Sequence, residues 1–123
     1  MPDSARELLD TIKLELAPAE NDNRLVPLVE SGQAPRGVFA TLAAEELRIV
    51  ASDWRSFLTL ASRSTDPLAR EFFSWLAQGE GVALGRLRVL AAAVGLDDVA
   101  LREYQPRAGC QAYPAYVAWL ALN

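Results

Sequence analysis

Glu46 and Asp53 are the residues of this chain placed where a side chain could do chemistry. At about 100° per residue, the stretch from Pro35 to Ser64 separates into two arcs. Phe39, Leu42, Ala43, Leu47, Ile49, Val50, Trp54, Phe57, Leu60 and Ala61 gather in one. Thr41, Glu45, Arg48, Ser52, Arg55, Ser56, Thr59 and Arg63 take the other. Glu46 and Asp53 fall in the middle of the apolar arc, on one line and two turns apart. A carboxylate in such a place is costly unless it is paired or protonated. The fold must compensate for these two or use them.

The elements that position them read as all-α. Ser4-Ala5-Arg6-Glu7 has the form of a capping box and opens a first helix to about Leu16, stopped by Pro18. Ala19 to Arg24 reads as a loop, and Leu25 to Ser31 as a short helix ended by Gly32. Pro35 suits the first turn of a long third helix ending near Ser64. Asp66-Pro67 starts a fourth helix that runs to Val94 and closes at Gly95. Asp97 caps a short fifth helix through about Tyr104, and Pro106 to Gly109 is a break. A last helix, Cys110 to Leu122, puts Tyr113, Tyr116, Val117 and Leu120 on one face. Its apolar end, Trp119 to Leu122, is followed only by Asn123, which points to a docked partner or a cut chain.

The link Ser64–Asp66 is short, so the third and fourth helices should lie antiparallel. Residues whose numbers sum to about 132 then share a height. On the fourth helix Leu68, Phe72, Trp75, Leu76, Gly79, Val82, Ala83, Leu87, Leu90, Ala93 and Val94 form the arc expected to face inward, with Arg86 as its one charge. Arg86 comes level with Glu46, and the pair is expected to form a buried or half-buried ion pair. Its role is open between structure and ligand binding. Gly79 comes level with Asp53 and is expected to point inward, whereas Gly81 and Gly85 are expected to point outward. Each glycine costs about 1 kcal/mol relative to alanine. Asp53 is expected either to bond a tyrosine hydroxyl, Tyr113 or Tyr116, or to meet a ligand. Glu80 sits at the arc's edge and reads as solvated. Trp54, Phe72, Phe73 and Trp75 read as core and interface residues, and Cys110 as a small core residue.

Composition narrows the chemistry. The chain has 123 residues, 51% hydrophobic and 23% charged, which suits one soluble domain, 1–123. A net charge of −4 argues against nucleic acid or an anionic membrane as partner. No segment resembles a signal peptide or reaches spanning length. The lone Cys110 forms no internal disulfide and fits a reducing cytoplasm. There is no histidine, which removes histidine-dependent nucleophilic catalysis, histidine-ligated haem and the usual helical di-iron motif. No metal or other cofactor is expected, and this chain alone is not expected to be catalytic.

Leu28-Val29-Glu30-Ser31-Gly32-Gln33-Ala34-Pro35, followed by Phe39 and Glu45-Glu46, resembles the entry into the second major helix of TenA-like proteins. These form the thiaminase II family, with a heme-oxygenase-like helical bundle. Gly79-Glu80 with Leu90 to Leu96 resembles that family's later long helix, and Pro106 to Tyr113 its proline-to-tyrosine segment. The resemblance covers about Leu25 to Leu122, the first two-thirds of such a protein, and implies an incomplete bundle of five to six helices. It implies that Glu46 occupies the acidic, pyrimidine-binding position. Ile49 and Gln111 stand where the family carries tyrosines, and Tyr113 matches a neighbouring one. The family's nucleophilic cysteine and a late glutamate would lie beyond residue 123, and Cys110 does not match that cysteine. The implied protein lacks intact thiaminase chemistry and binds a small aminopyrimidine-like ligand near Glu46. The alternatives are a non-catalytic oligomeric interaction or regulatory protein with a structural Glu46–Arg86 pair, or a fragment of an active hydrolase. A homo-oligomer, dimer or higher, is expected to cover the apolar faces that missing helices would leave.

Overall fold

The computed structural model describes residues 4–19 and 23–123. Among them every regular element is an α-helix, and no helix is long and apolar enough to cross a membrane. The expected loop Ala19 to Arg24 falls partly outside the described residues, at 20–22, as do residues 1–3. Two compact units emerge, Met1–Ala34 and Pro35–Asn123.

The first unit holds α1 (Ala5–Glu15) and α2 (Leu25–Glu30). The capping box forms as expected: the Glu7 amide donates to Ser4 Oγ and the Ser4 amide to Glu7 Oε2, both at 3.2 Å. The Asn23 side chain accepts from the Val26 amide at 3.1 Å and opens α2. Gly32, at φ 69°, closes it in a left-handed conformation that glycine adopts without a Cβ clash.

The second unit holds α3 (Arg36–Arg63), α4 (Pro67–Ala93), α5 (Asp98–Glu103) and α6 (Ala108–Leu122). Asp66 and Asp97 cap α4 and α5 through side-chain bonds to backbone amides, and Gly95, at φ 82°, ends α4. α3 is the central helix, with α4 packed along it on one side and α6 on another. Arginines of α3 fix these directions. Arg36, at the start of α3, donates to the carbonyls of Ala93 and Val94 at the end of α4, so α3 and α4 are antiparallel as expected. Arg63, at the end of α3, donates to the Ala121 carbonyl, so α6 runs parallel to α3. Arg48 donates to the carbonyls of Leu101 and Tyr104 at the end of α5. Each guanidinium meets carbonyls left without intrahelical partners, at the negative end of a helix dipole. Arg48 and Arg63 therefore tie helices together rather than merely facing solvent.

The interior of this unit is small-residue packing. Its buried apolar residues include Ala43, Ala44, Val50, Ala61, Ala77, Ala91 and Ala121, and no large side chain is fully buried. Two expected faces are corrected. The polar arc of α3 is the side that receives α6, so Glu45 and Ser56 are buried there. The arc of α4 expected to face inward lies largely outward: Leu68, Phe72, Trp75 and Val82 are more than half exposed. α4 instead turns Ala77 and Ala91 inward, because alanine lets the two backbones approach. The glycines follow that rotation. A Cβ on Gly79 would meet open space, whereas one on Gly81 would touch the Trp54 ring at 3.6 Å. On α6 the expected inner face is corrected too: Tyr113, Tyr116 and Leu120 are exposed, while Pro114 and Ala121 are buried.

Candidate functional site

α3 presents two carboxylate sites one residue apart. The first, Glu45, is 5% exposed and faces the segment that leads into α6. Its Oε1 accepts from the Tyr104 hydroxyl at 2.8 Å and from the Arg107 amide at 3.0 Å. The Arg107 amide is the main reason its pKa lies below the ordinary glutamate value; burial opposes it, and Tyr104 and the Cys110 thiol help. Oε2 is buried with no hydrogen-bond partner. The same surroundings push the Cys110 thiol up, first by burial and then by the Glu45 charge. A thiol held protonated is a weak nucleophile. This socket is an anchor: it ties α3 to the break before α6. Glu45 stands in the polar arc of α3, where the helical wheel alone gives it no partner. The signal was α6 itself, apolar nearly all round, which required a face of α3 to receive it.

The second site joins three helices. Asp53 on α3 is 4% exposed, and its Oδ1 is buried with no hydrogen-bond partner. Burial raises its pKa, and the Tyr113 hydroxyl on α6 partly offsets that rise. Of the two tyrosines considered, Tyr113 is therefore the one that acts on Asp53. Glu46, half-buried, is raised by burial, then by Asp53 and by Glu45. Glu80 on α4 is raised by burial, then by Asp53 and by Glu46. Glu80 is thus half-buried and part of a cluster rather than simply solvated. Three carboxyls share one field, and no cation figures among the influences on any of them.

The expected Glu46–Arg86 ion pair is not formed. Both residues border one open groove of about 540 Å³, with Val50, Val82 and Leu87, so their levels match. Arg86 nevertheless lies on the exposed side of α4 and does not act on the Glu46 carboxyl. The rotation of α4 separates them. Ile49 is half-buried on α3. Gln111 is exposed, donates to the Pro106 carbonyl at 3.2 Å, and borders a separate groove with Glu45 and Cys110. Asp53, Glu46 and Tyr113 thus come together, with Ile49 one helical turn from both carboxyls on α3, whereas Arg86 and Gln111 do not act on them.

The cluster can hold protons or meet a cationic group. Among the described residues no group of His, Cys, Asp and Glu is arranged to hold a metal ion. No family model, curated protein or solved structure matches this chain.

Proposed function

We propose that this chain is a non-catalytic helical assembly protein whose α4 receives another helix on its outer face. The observation that carries this reading is the inversion of α4. Five of its large residues, Leu68, Phe72, Trp75, Val82 and Val89, are 53–74% exposed, while Ala77 and Ala91 are buried against α3 with Phe73 and Leu84 half-buried beside them. Leaving such a row in water forgoes about 25 cal/mol for each Å² of apolar surface that a partner would cover. Contiguous apolar surface of this kind marks interaction sites. The absence of histidine and the upward push on the Cys110 thiol give catalysis little to work with. A lone thiol suits a reducing compartment such as the cytoplasm.

Light scattering over the micromolar range tests the reading. The wild type is expected to be a dimer or larger, and Trp75→Glu to be a monomer of unchanged helicity. A wild-type monomer throughout that range refutes it.

A second reading is favoured by the orphan Oδ1 of Asp53 among three carboxyls without a cation. A small protonated nitrogen base, of the aminopyrimidine type the TenA-like resemblance implies, would complement that field. Thermal shift with aminopyrimidines tests it. Stabilisation of the wild type that is lost in Glu46→Gln and Asp53→Asn supports the site. Equal shifts in all three refute it.

A further inference from the structure

The exposed residues of α4 carry a period that the wheel conceals. Leu68, Trp75, Val82 and Val89 recur every seven residues, and Phe72, Gly79, Arg86 and Ala93 do the same four places later. Alternating steps of four and three make these the d and a positions of four heptads. All eight are exposed. A stripe of 3.5 period held for that long is the pattern by which a helix winds against another helix, since a slight supercoil removes the drift of about 20° per heptad of a straight 3.6 helix. The face packed on α3 is centred elsewhere, on Ala77 and Ala91, and Gly79, Val82 and Arg86 also border the open groove beside Glu46.

From this seam, and resting on the assembly reading above, we propose that α4 pairs antiparallel with α4 of a second copy. Length selects the partner. At 1.5 Å per residue the seam is roughly 38 Å long. α1 has 11 residues and α6 has 15, too short to cover it. α3 is long enough but already lies between α4 and α6.

Charge selects the direction. A parallel pair would set Arg86 against Arg86 within an apolar seam, two like charges with no counter-ion. An antiparallel pair in full overlap matches residues whose numbers sum to 161. Leu68 then meets Ala93 of the second copy, Phe72 meets Val89, Trp75 meets Arg86 and Gly79 meets Val82. Bulky residues face smaller ones at the outer layers, and each guanidinium lies against an indole face. Gly79 sits next to the two-fold axis, where a missing side chain lets the backbones approach.

Cysteine cross-linking in a Cys110→Ala background separates the possibilities. Phe72→Cys mixed with Val89→Cys is expected to give a disulfide-linked heterodimer on mild oxidation. Val89→Cys alone is expected to give none, because the two copies of residue 89 lie about 25 Å apart along the axis. Arg86→Gln is expected to raise the dimer dissociation constant roughly tenfold, by losing the indole contact. Its unfolding temperature as a monomer should be unchanged, since Arg86 is exposed. Efficient cross-linking of Val89→Cys alone establishes a parallel pair and overturns this proposal while the assembly reading stands. A wild-type dimer that gives neither cross-link overturns the α4 seam. A wild-type monomer at micromolar concentration overturns both.

Discussion

Glu45 and Glu46 are neighbours in the chain and opposites in environment. Glu45 meets donors, an amide and a phenol, and its pKa is lowered. Glu46 meets only loss of water and other carboxylates, Asp53 foremost, and its pKa is raised. A rotation of about 100° along one helix turns an anchor into part of an uncompensated charge cluster. Burial alone does not decide what a carboxylate does in a fold. The donors that arrive with the neighbouring element decide it, and here they arrive with the segment between α5 and α6.

The largest test removes the anchor. Glu45→Ala leaves the Tyr104 hydroxyl and the Arg107 amide without their acceptor, and the start of α6 without its tie to α3. The unfolding temperature is expected to fall on the order of 10 °C, with α6 the first segment to lose hydrogen-exchange protection. A fall confined to 1–2 °C, about what a surface change gives, would remove the contrast between the two sites.

The opposite change belongs to Asp53. Asp53→Asn discharges the centre of the cluster, so the unfolding temperature at pH 7 should rise, by about 3 °C. The two sites also oppose each other in pH. Where folded pKa values are raised, the folded state binds more protons than the unfolded one, so stability grows as pH falls. Asp53, Glu46 and Glu80 therefore cost stability at neutral pH, and that cost fades as pH falls through their raised values toward the ordinary ones, 3.8 for Asp53 and 4.5 for the two glutamates. Glu45 works in reverse. Its contribution is present at neutral pH and is lost as pH falls through its lowered value, below the ordinary 4.5. Differential scanning calorimetry should show a maximum between these limits, flattened on its alkaline side in Asp53→Asn. A profile that declines steadily from neutral pH would remove the cluster from the account.

Much of the framework was legible because local chemistry writes it. Ser4 with Glu7, Asp66 with Pro67, and Asp97 each start a helix where a side chain can take the first orphan amides. The short link after Ser64 is enough to make α3 and α4 antiparallel. The rotation of α4 was not legible, because it carries two apolar stripes and a wheel reports only their sum. Phe73, Ala77, Leu84 and Ala91 serve α3, while Leu68, Trp75, Val82 and Val89 form the outer stripe. The polar side of α3 misled for a related reason. Glu45 and Ser56 look solvent-bound until α6 is placed on them, and α6, apolar nearly all round, does not announce which side it presents. Asp53 was legible as a misplaced charge and Tyr113 as a candidate neighbour. Glu45 was not, since its partner at Arg107 is a backbone amide.

The smallest effects compare the two phenols. Tyr104→Phe removes one of two donors to Glu45 Oε1, leaves the Arg107 amide in place, and should lower the unfolding temperature by about 4 °C. Tyr113→Phe removes the hydroxyl that holds down the Asp53 pKa, which then rises further. Its cost should be about 1–2 °C at pH 7, where the charged form of Asp53 uses the hydroxyl most. At pH 5 Asp53 carries more of its proton and the cost should shrink. In an Asp53→Asn background the pH dependence of the Tyr113→Phe cost should vanish, because the group that titrates is gone. A Tyr113→Phe effect that keeps the same pH dependence without Asp53 would place the phenol's partner elsewhere in the cluster, with Glu80 the next candidate, since it too acts on Tyr113.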